Sequence, residues 1–171
     1  YWLYFKMIDV VSSVFHLTPR SLSELVTTDE DKLVLDLKEG KMKVVEGSLQ
    51  SKTRTINVRL YYNRTFSHQR DLSKAGTWTL KMRPDYTLSI WTGNISEEDA
   101  ESQDTIVHLH FDAKYRLHDI LLSDDDNKET EEDLTEEKRN EEKSIYKRAD
   151  LLKMHAYKDA IRRTSGAYIL Y

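Results

Sequence analysis

The chain is 171 residues long, with 26 Lys and Arg against 30 Asp and Glu, a formal net charge of −4 and no cysteine. That length suits one domain with a real core, and the lack of cysteine excludes disulfides and thiolate metal sites while fitting a reducing cytoplasm. The longest apolar runs, such as residues 1–5 and 107–111, are far too short to span a bilayer, so no membrane association is expected.

In chain order, Leu3, Met7, Val10, Val11 and Val14 recur at helical spacing and predict a helix over residues 1–15. Thr18-Pro19 ends it, and residues 21–26 suggest a further short helical turn. Residues 33–37 and 42–45 alternate around Glu39-Gly40 and predict a hairpin. Residues 53–62 make a strong strand candidate, with Ile56, Val58 and Leu60 on one face and Tyr61 on the other. A polar loop over 63–75 closes at Gly76. Strands follow over 77–82 and 86–91, then an acidic turn over 93–104, a strand over 105–117, a helix over 145–163 and a last strand over 167–171. Helices at both ends of a run of mostly antiparallel strands predict an α/β fold, with a central mixed sheet flanked by helices.

Charge is unevenly spread. Residues 124–142 hold 11 acidic and 3 basic residues, a net −8, which leaves 23 basic against 19 acidic elsewhere, a net +4. Such an acidic run predicts a flexible, solvated insertion, with shielding of a nucleic-acid cleft as the second reading. The remaining surface is basic enough for phosphate contacts.

The chemistry concentrates in two places. Pro84-Asp85 sits where a proline interrupts strand pairing, so the Asp85 side chain can project toward a neighbouring strand. In the second strand, alternation puts Val107, Leu109, Phe111 and Ala113 on one face, toward a core closed by the helix at 151–161. His108, His110, Asp112, Lys114 and Arg116 share the other. Two carboxylates and a lysine can hold Mg²⁺ or Mn²⁺ and activate a water against a phosphate. An isolated Asp-x-Lys on a strand would mean only a solvated ion pair worth about 0–1 kcal/mol. His108 and His110 together could bind zinc, but Asp112 on the same face favours a harder ion.

Arg83-Pro84-Asp85 with Phe111-Asp112-Ala113-Lys114-Tyr115-Arg116 resembles the PD-(D/E)XK nuclease superfamily. Asp150-Leu-Leu-Lys-Met-His-Ala-Tyr-Lys-Asp-Ala-Ile161 followed by Gly166-Ala-Tyr168 resembles, within it, the branch of McrC-type and LlaJI-type restriction endonucleases. The resemblance spans residues 83–171 in order and implies a restriction-endonuclease-like core and a metal-dependent DNA endonuclease of a restriction or defence system. It implies Asp85, Asp112 and Lys114 as catalytic residues, and Asp85, Asp112 and the Ala113 carbonyl as ligands of Mg²⁺ or Mn²⁺. His155 and Tyr157 would support them, orienting the lysine or touching a phosphate. Members of the superfamily often add a Glu from the first core helix. Asp9 and Glu24 do not match its position, so that Glu is expected upstream of Tyr1, in a longer polypeptide of which this is the nuclease module. If it is absent, the alternative is a catalytically degenerate module for nucleic-acid binding or scaffolding. The chain has neither a Walker loop nor an HExxH motif. By resemblance, the partners are DNA and an AAA+ GTPase or ATPase motor subunit, with a homo-oligomer left open and a cytoplasmic location implied.

Overall fold

The computed structural model describes residues 2–17, 26–29, 34–37, 43–50, 52–114 and 147–171. The acidic run at 124–142, Glu24 and Arg116 lie outside the described residues. The first helix, α1 (Trp2–Phe15), buries Tyr4, Met7, Ile8, Val11 and Ser12, the stripe that a 3.6-residue repeat turns to one side. Val10 and Val14, expected on that stripe, are exposed instead. The helix rolls to bury Tyr4 and Ile8, because an aromatic ring removes more apolar area from water than a valine does. It stops at His16, whose φ of 53° is left-handed. The Leu17 N–H then reaches back to the Ser12 carbonyl at 2.8 Å and caps the last turn.

Strands β1 (Val26–Asp29) and β2 (Val34–Leu37) form a separate antiparallel pair. The expected hairpin of 33–37 with 42–45 does not form. Strand β3 (Lys43–Gln50) pairs with β4 (Thr55–Tyr62), whose eight residues offer a longer ladder than the four of β2. The main sheet runs β3-β4-β5-β6-β7, with β5 at Tyr86–Thr92, β6 at Ile106–Ala113 and β7 at Thr164–Leu170. Neighbours are antiparallel except β6 and β7, which are parallel, so the sheet is mixed. A parallel step needs a long crossover. Its described part is a helix over residues 147–160, here α3.

The two faces of the sheet differ in chemistry. On one, α1 packs Tyr4, Met7, Ile8 and Val11 onto Val45, Val58, Leu60, Tyr86 and Leu88, with Leu109, Phe111 and Ala113 at the margin. The predicted core strip of β6 is therefore closed by α1, and Val107 at its end is exposed. Helix α3 instead covers the opposite face, where Met154, Tyr157 and Ile161 pack on Phe66. Leu151, in the first turns of α3, is exposed. The polar row His108, His110 and Asp112 is thus wholly buried between the sheet and its cover. That cover includes residues 63–84, which form isolated bridges (Phe66 to Met82, His68 and Ile161 to Thr77) where a strand over 77–82 was expected. No described helix is long and apolar enough to cross a membrane.

Within the expected turn at 93–104 lies a short helix, α2 (Glu97–Ser102). The Ser96 hydroxyl caps it by accepting from the Asp99 N–H at 3.0 Å. Three acids in its first turn suit the positive end of the helix dipole. Glu97 and Glu101, four residues apart, both turn inward. Glu97 takes Arg64 at 2.7 Å, Arg59 at 3.0 Å and the Tyr61 hydroxyl. Glu101 takes Arg163 and His108, each at 2.9 Å. Burial alone would raise the Glu97 carboxyl, but Arg64 and the hydrogen bonds from Tyr61 and Arg59 hold it below its ordinary value. Its contribution to stability is therefore present above the ordinary glutamate range and lost as the pH falls through the lowered value. Glu97→Ala leaves the buried Tyr61 hydroxyl without its acceptor and removes the nearest carboxylate from Arg64 and Arg59. We expect a loss of about 3–5 kcal/mol, read as a lower denaturant midpoint at unchanged m.

Candidate active site

Proline has no N–H to donate, and Pro84 delays sheet pairing until Tyr86. Asp85 is left at the mouth of β5, with its carbonyl accepting from the Asn63 N–H at 2.8 Å. Its carboxylate crosses to the neighbouring strand, where Oδ2 accepts from the Ala113 N–H at 2.7 Å. One residue earlier on β6, Asp112 points to the α3 side with no exposure to solvent. Its Oδ1 accepts from Lys153 Nζ at 2.6 Å. Its Oδ2 lies 2.9 Å from Lys114 Nζ, an ion contact without hydrogen-bond alignment. Lys114 also approaches Asp150 Oδ1 at 3.5 Å. The two-residue period of the strand puts Asp112 and Lys114 on one face. The break before β5 brings Asp85 to the same end of the sheet.

The electrostatics follow from these neighbours. Burial raises the Asp85 carboxyl and the Asp112 charge adds to that, while the Ala113 N–H and the two lysines oppose it. The adjacent Asp112 carboxylate raises Lys114, and Asp112 and Tyr157 keep Lys153 raised against burial, so both stay ammonium ions. Tyr157 is buried, with its hydroxyl donating to the Arg83 carbonyl at 3.3 Å and its ring 5.5 Å from Lys153 Nζ. His155 is exposed and forms no hydrogen bond or ion pair with a described residue. Of the two helix residues singled out in the sequence, Tyr157 reaches the cluster and His155 does not. Lys153 and Asp150 join it unannounced. Asp150, Lys153 and Tyr157 at i, i+3 and i+7 share a helix face, a spacing that the sequence already contained.

The donor set fits a hard divalent cation. Asp112 Oδ2 is a buried oxygen without a hydrogen bond, and Asp85 carries the strain of a neighbouring like charge. Among the described residues no three His, Asp or Glu side chains converge on one point. Two carboxylates with backbone carbonyl, water and phosphate oxygens suit Mg²⁺ or Mn²⁺, which keep several non-protein ligands. Zinc at the histidines does not fit. His108 bonds Ser89 at 3.0 Å and Glu101 at 2.9 Å, and His110 bonds Thr87 and Thr164 at 3.0 Å each, so all four ring nitrogens are engaged.

Acids from the head of one strand and the tail of its antiparallel neighbour, with a lysine two residues on, sit here in a five-stranded mixed sheet flanked by helices. That is an α/β fold of restriction-endonuclease-like core. A sequence model of the PD-(D/E)XK nuclease superfamily matches residues 1–171, and the chain belongs to that superfamily. No curated protein and no solved structure matches it.

The buried histidines make stability depend on pH. Burial, with help from the His108 and Arg64 charges, pushes His110 down from 6.5 to about 3. Between those values the unfolded chain binds a proton that the folded chain refuses, so stability falls as the pH falls. One such histidine gives a slope of up to about 1.4 kcal/mol per pH unit. We expect His110→Gln to flatten the slope of urea-unfolding free energy between about pH 7 and 5, above most carboxylate titrations.

Proposed function

We propose that this chain is the catalytic module of a divalent-cation-dependent DNA endonuclease, of the McrC/LlaJI-like branch and serving a restriction or defence system. The observation that carries the reading is the gathering of Asp85, Asp112 and Lys114 at one end of the sheet, tied together through the Ala113 N–H and the Lys114 ammonium. Asp85, Asp112 and the Ala113 carbonyl would hold Mg²⁺ or Mn²⁺. Bound there, the ion would supply Lewis acidity toward a phosphate oxygen and a bound water acidic enough to ionise near neutral pH. Lys114 orients the attacking water and offsets charge that builds on the phosphate in the transition state. Lys153 compensates Asp112 inside the protein and is itself fixed over the Tyr157 ring. Tyr157 fixes the segment before Asp85 through the Arg83 carbonyl. His155, exposed two residues away, contributes at most a contact to the substrate. Chain translocation, if the system uses it, belongs to an AAA+ motor partner.

A second reading has its own support. Lys153 and Lys114 both occupy the Asp112 carboxylate, and among the described residues no three His, Asp or Glu side chains gather to hold an ion. A site so compensated suits a degenerate module that binds nucleic acid without cutting it.

Duplex DNA incubated with the protein and Mg²⁺ or Mn²⁺ separates the two. Cleavage should occur, and Asp85→Asn, Asp112→Asn or Lys114→Ala should each slow it by roughly 10²–10³-fold or more while circular dichroism stays native. Undiminished cutting by Asp112→Asn overturns the assignment. Tight binding by the wild-type protein with no cutting in either metal supports the degenerate module.

A further inference from the structure

Residues 76–83 run beside α3 and are pinned at both ends. At one end the Trp78 N–H donates to the Ala160 carbonyl at 2.9 Å and the Arg162 N–H to the Gly76 carbonyl at 3.0 Å. At the other, Met82 exchanges two backbone hydrogen bonds with Phe66, and the Arg83 carbonyl accepts from Tyr157. Between these anchors the side chains turn outward: Trp78 is 54% exposed and Leu80 72%, and Thr79, Lys81 and Arg83 are also exposed. A backbone this fixed would normally fold a tryptophan inward, since the ring is costly to leave in water.

Trp78 is also backed. The Arg162 guanidinium lies 5.2 Å from its ring centroid and is itself buried, with Nη1 donating to the Asp71 carbonyl at 2.9 Å and Nη2 to the Gln69 carbonyl at 2.8 Å. Gly76 permits this approach, because a Cβ there would come within 2.8 Å of Arg162 Nη2. The indole is thus a rigid plate on a buried cation, while much of its surface stays in solvent.

Its place in the fold gives it a use. Ala160, which anchors Trp78, and Lys153, which holds Asp112, are seven residues apart on α3, about 10 Å along the axis. That is about three steps of a stacked nucleic-acid strand at roughly 3.4 Å per nucleotide. Charge runs the same way. Residues 68–83 hold Arg70, Lys74, Lys81 and Arg83 against Asp71 alone, in a chain whose net charge is −4.

We propose that Trp78, seated on Arg162, is a stacking platform for an unpaired base of the strand entering the Asp85–Asp112 site, and that the preferred substrate is therefore DNA with single-stranded character beside the scissile bond. The proposal rests on the nuclease reading for its direction but is tested without cleavage. A plane of indole takes any base face, and the neighbouring cations take the phosphates.

The test is equilibrium binding of a fluorescent single-stranded oligonucleotide, and of the matching duplex, to the full chain in EDTA. Trp78→Ala should weaken single-strand binding about tenfold or more and duplex binding much less, and Trp78→Phe should restore most of the loss where Trp78→Leu does not. Lys81→Ala should weaken both DNAs alike and shallow the salt dependence by about one charge. Equal affinities of Trp78→Ala and wild type for the single strand, equal losses on the two DNAs, or no binding by the wild type would each overturn the platform. Cleavage assays on the same proteins keep the two readings apart. Trp78-dependent binding without metal-dependent cutting sinks the nuclease alone, and normal cutting with Trp78-independent binding sinks the platform alone.

Discussion

Asp112 is a carboxylate with no access to water, and a charge in that position has to be met by charge from the protein. Lys114 meets it from the end of its own strand and Lys153 from the crossover helix. This requirement fixes the register of the site. α3 must lie on the polar side of β6, with Lys153 turned inward, and the end of β6 must lie where Asp85 can reach the Ala113 N–H. A hydrophobic replacement for such an ion cluster would often cost nothing or add stability. A fold that buries Asp112 under two lysines is spending stability at the place to which the proposed function assigns its chemistry.

The same face of the sheet extends this polar interior away from the site. Arg64, Ser89, His108, Glu97 and Glu101 form a continuous set of hydrogen bonds and ion pairs beneath α2 and residues 63–84, and the Thr87–His110 pair packs beside it through the two imidazole rings. Burial holds both histidines below their ordinary value and keeps the rings neutral, and every ring nitrogen is engaged, which makes them directional. Its consequence for the site is rigidity. Networks with all members satisfied specify one arrangement, because each alternative strands a buried polar atom. The apolar face under α1 supplies the ordinary hydrophobic drive, and the polar face supplies the geometry.

Local periodicity carried much of the site. A two-residue period is enough to place Asp112 and Lys114 together, and proline chemistry alone puts Asp85 at a break in pairing. The sequence by itself therefore determined the mixed sheet, a first helix expected over 1–15 and found at 2–15, a last helix expected over 145–163 and found at 147–160 among the described residues, and the polar row of β6. It held the signal for α2 as well, in Ser96 three residues before Asp99, although the acidic composition of that stretch pointed to a turn. Only the tertiary structure decided which face each helix covers, that β3 pairs with β4 and leaves β2 to β1, that Lys153 and Asp150 join Asp112 while His155 stays in solvent, and that Trp78 is held outward on Arg162. The reason is range. Periodicity records what a residue's own turn or strand does, whereas burial of Asp112 and pairing of β6 with β7 depend on partners dozens of residues away, and their energies exist only once the sheet has assembled.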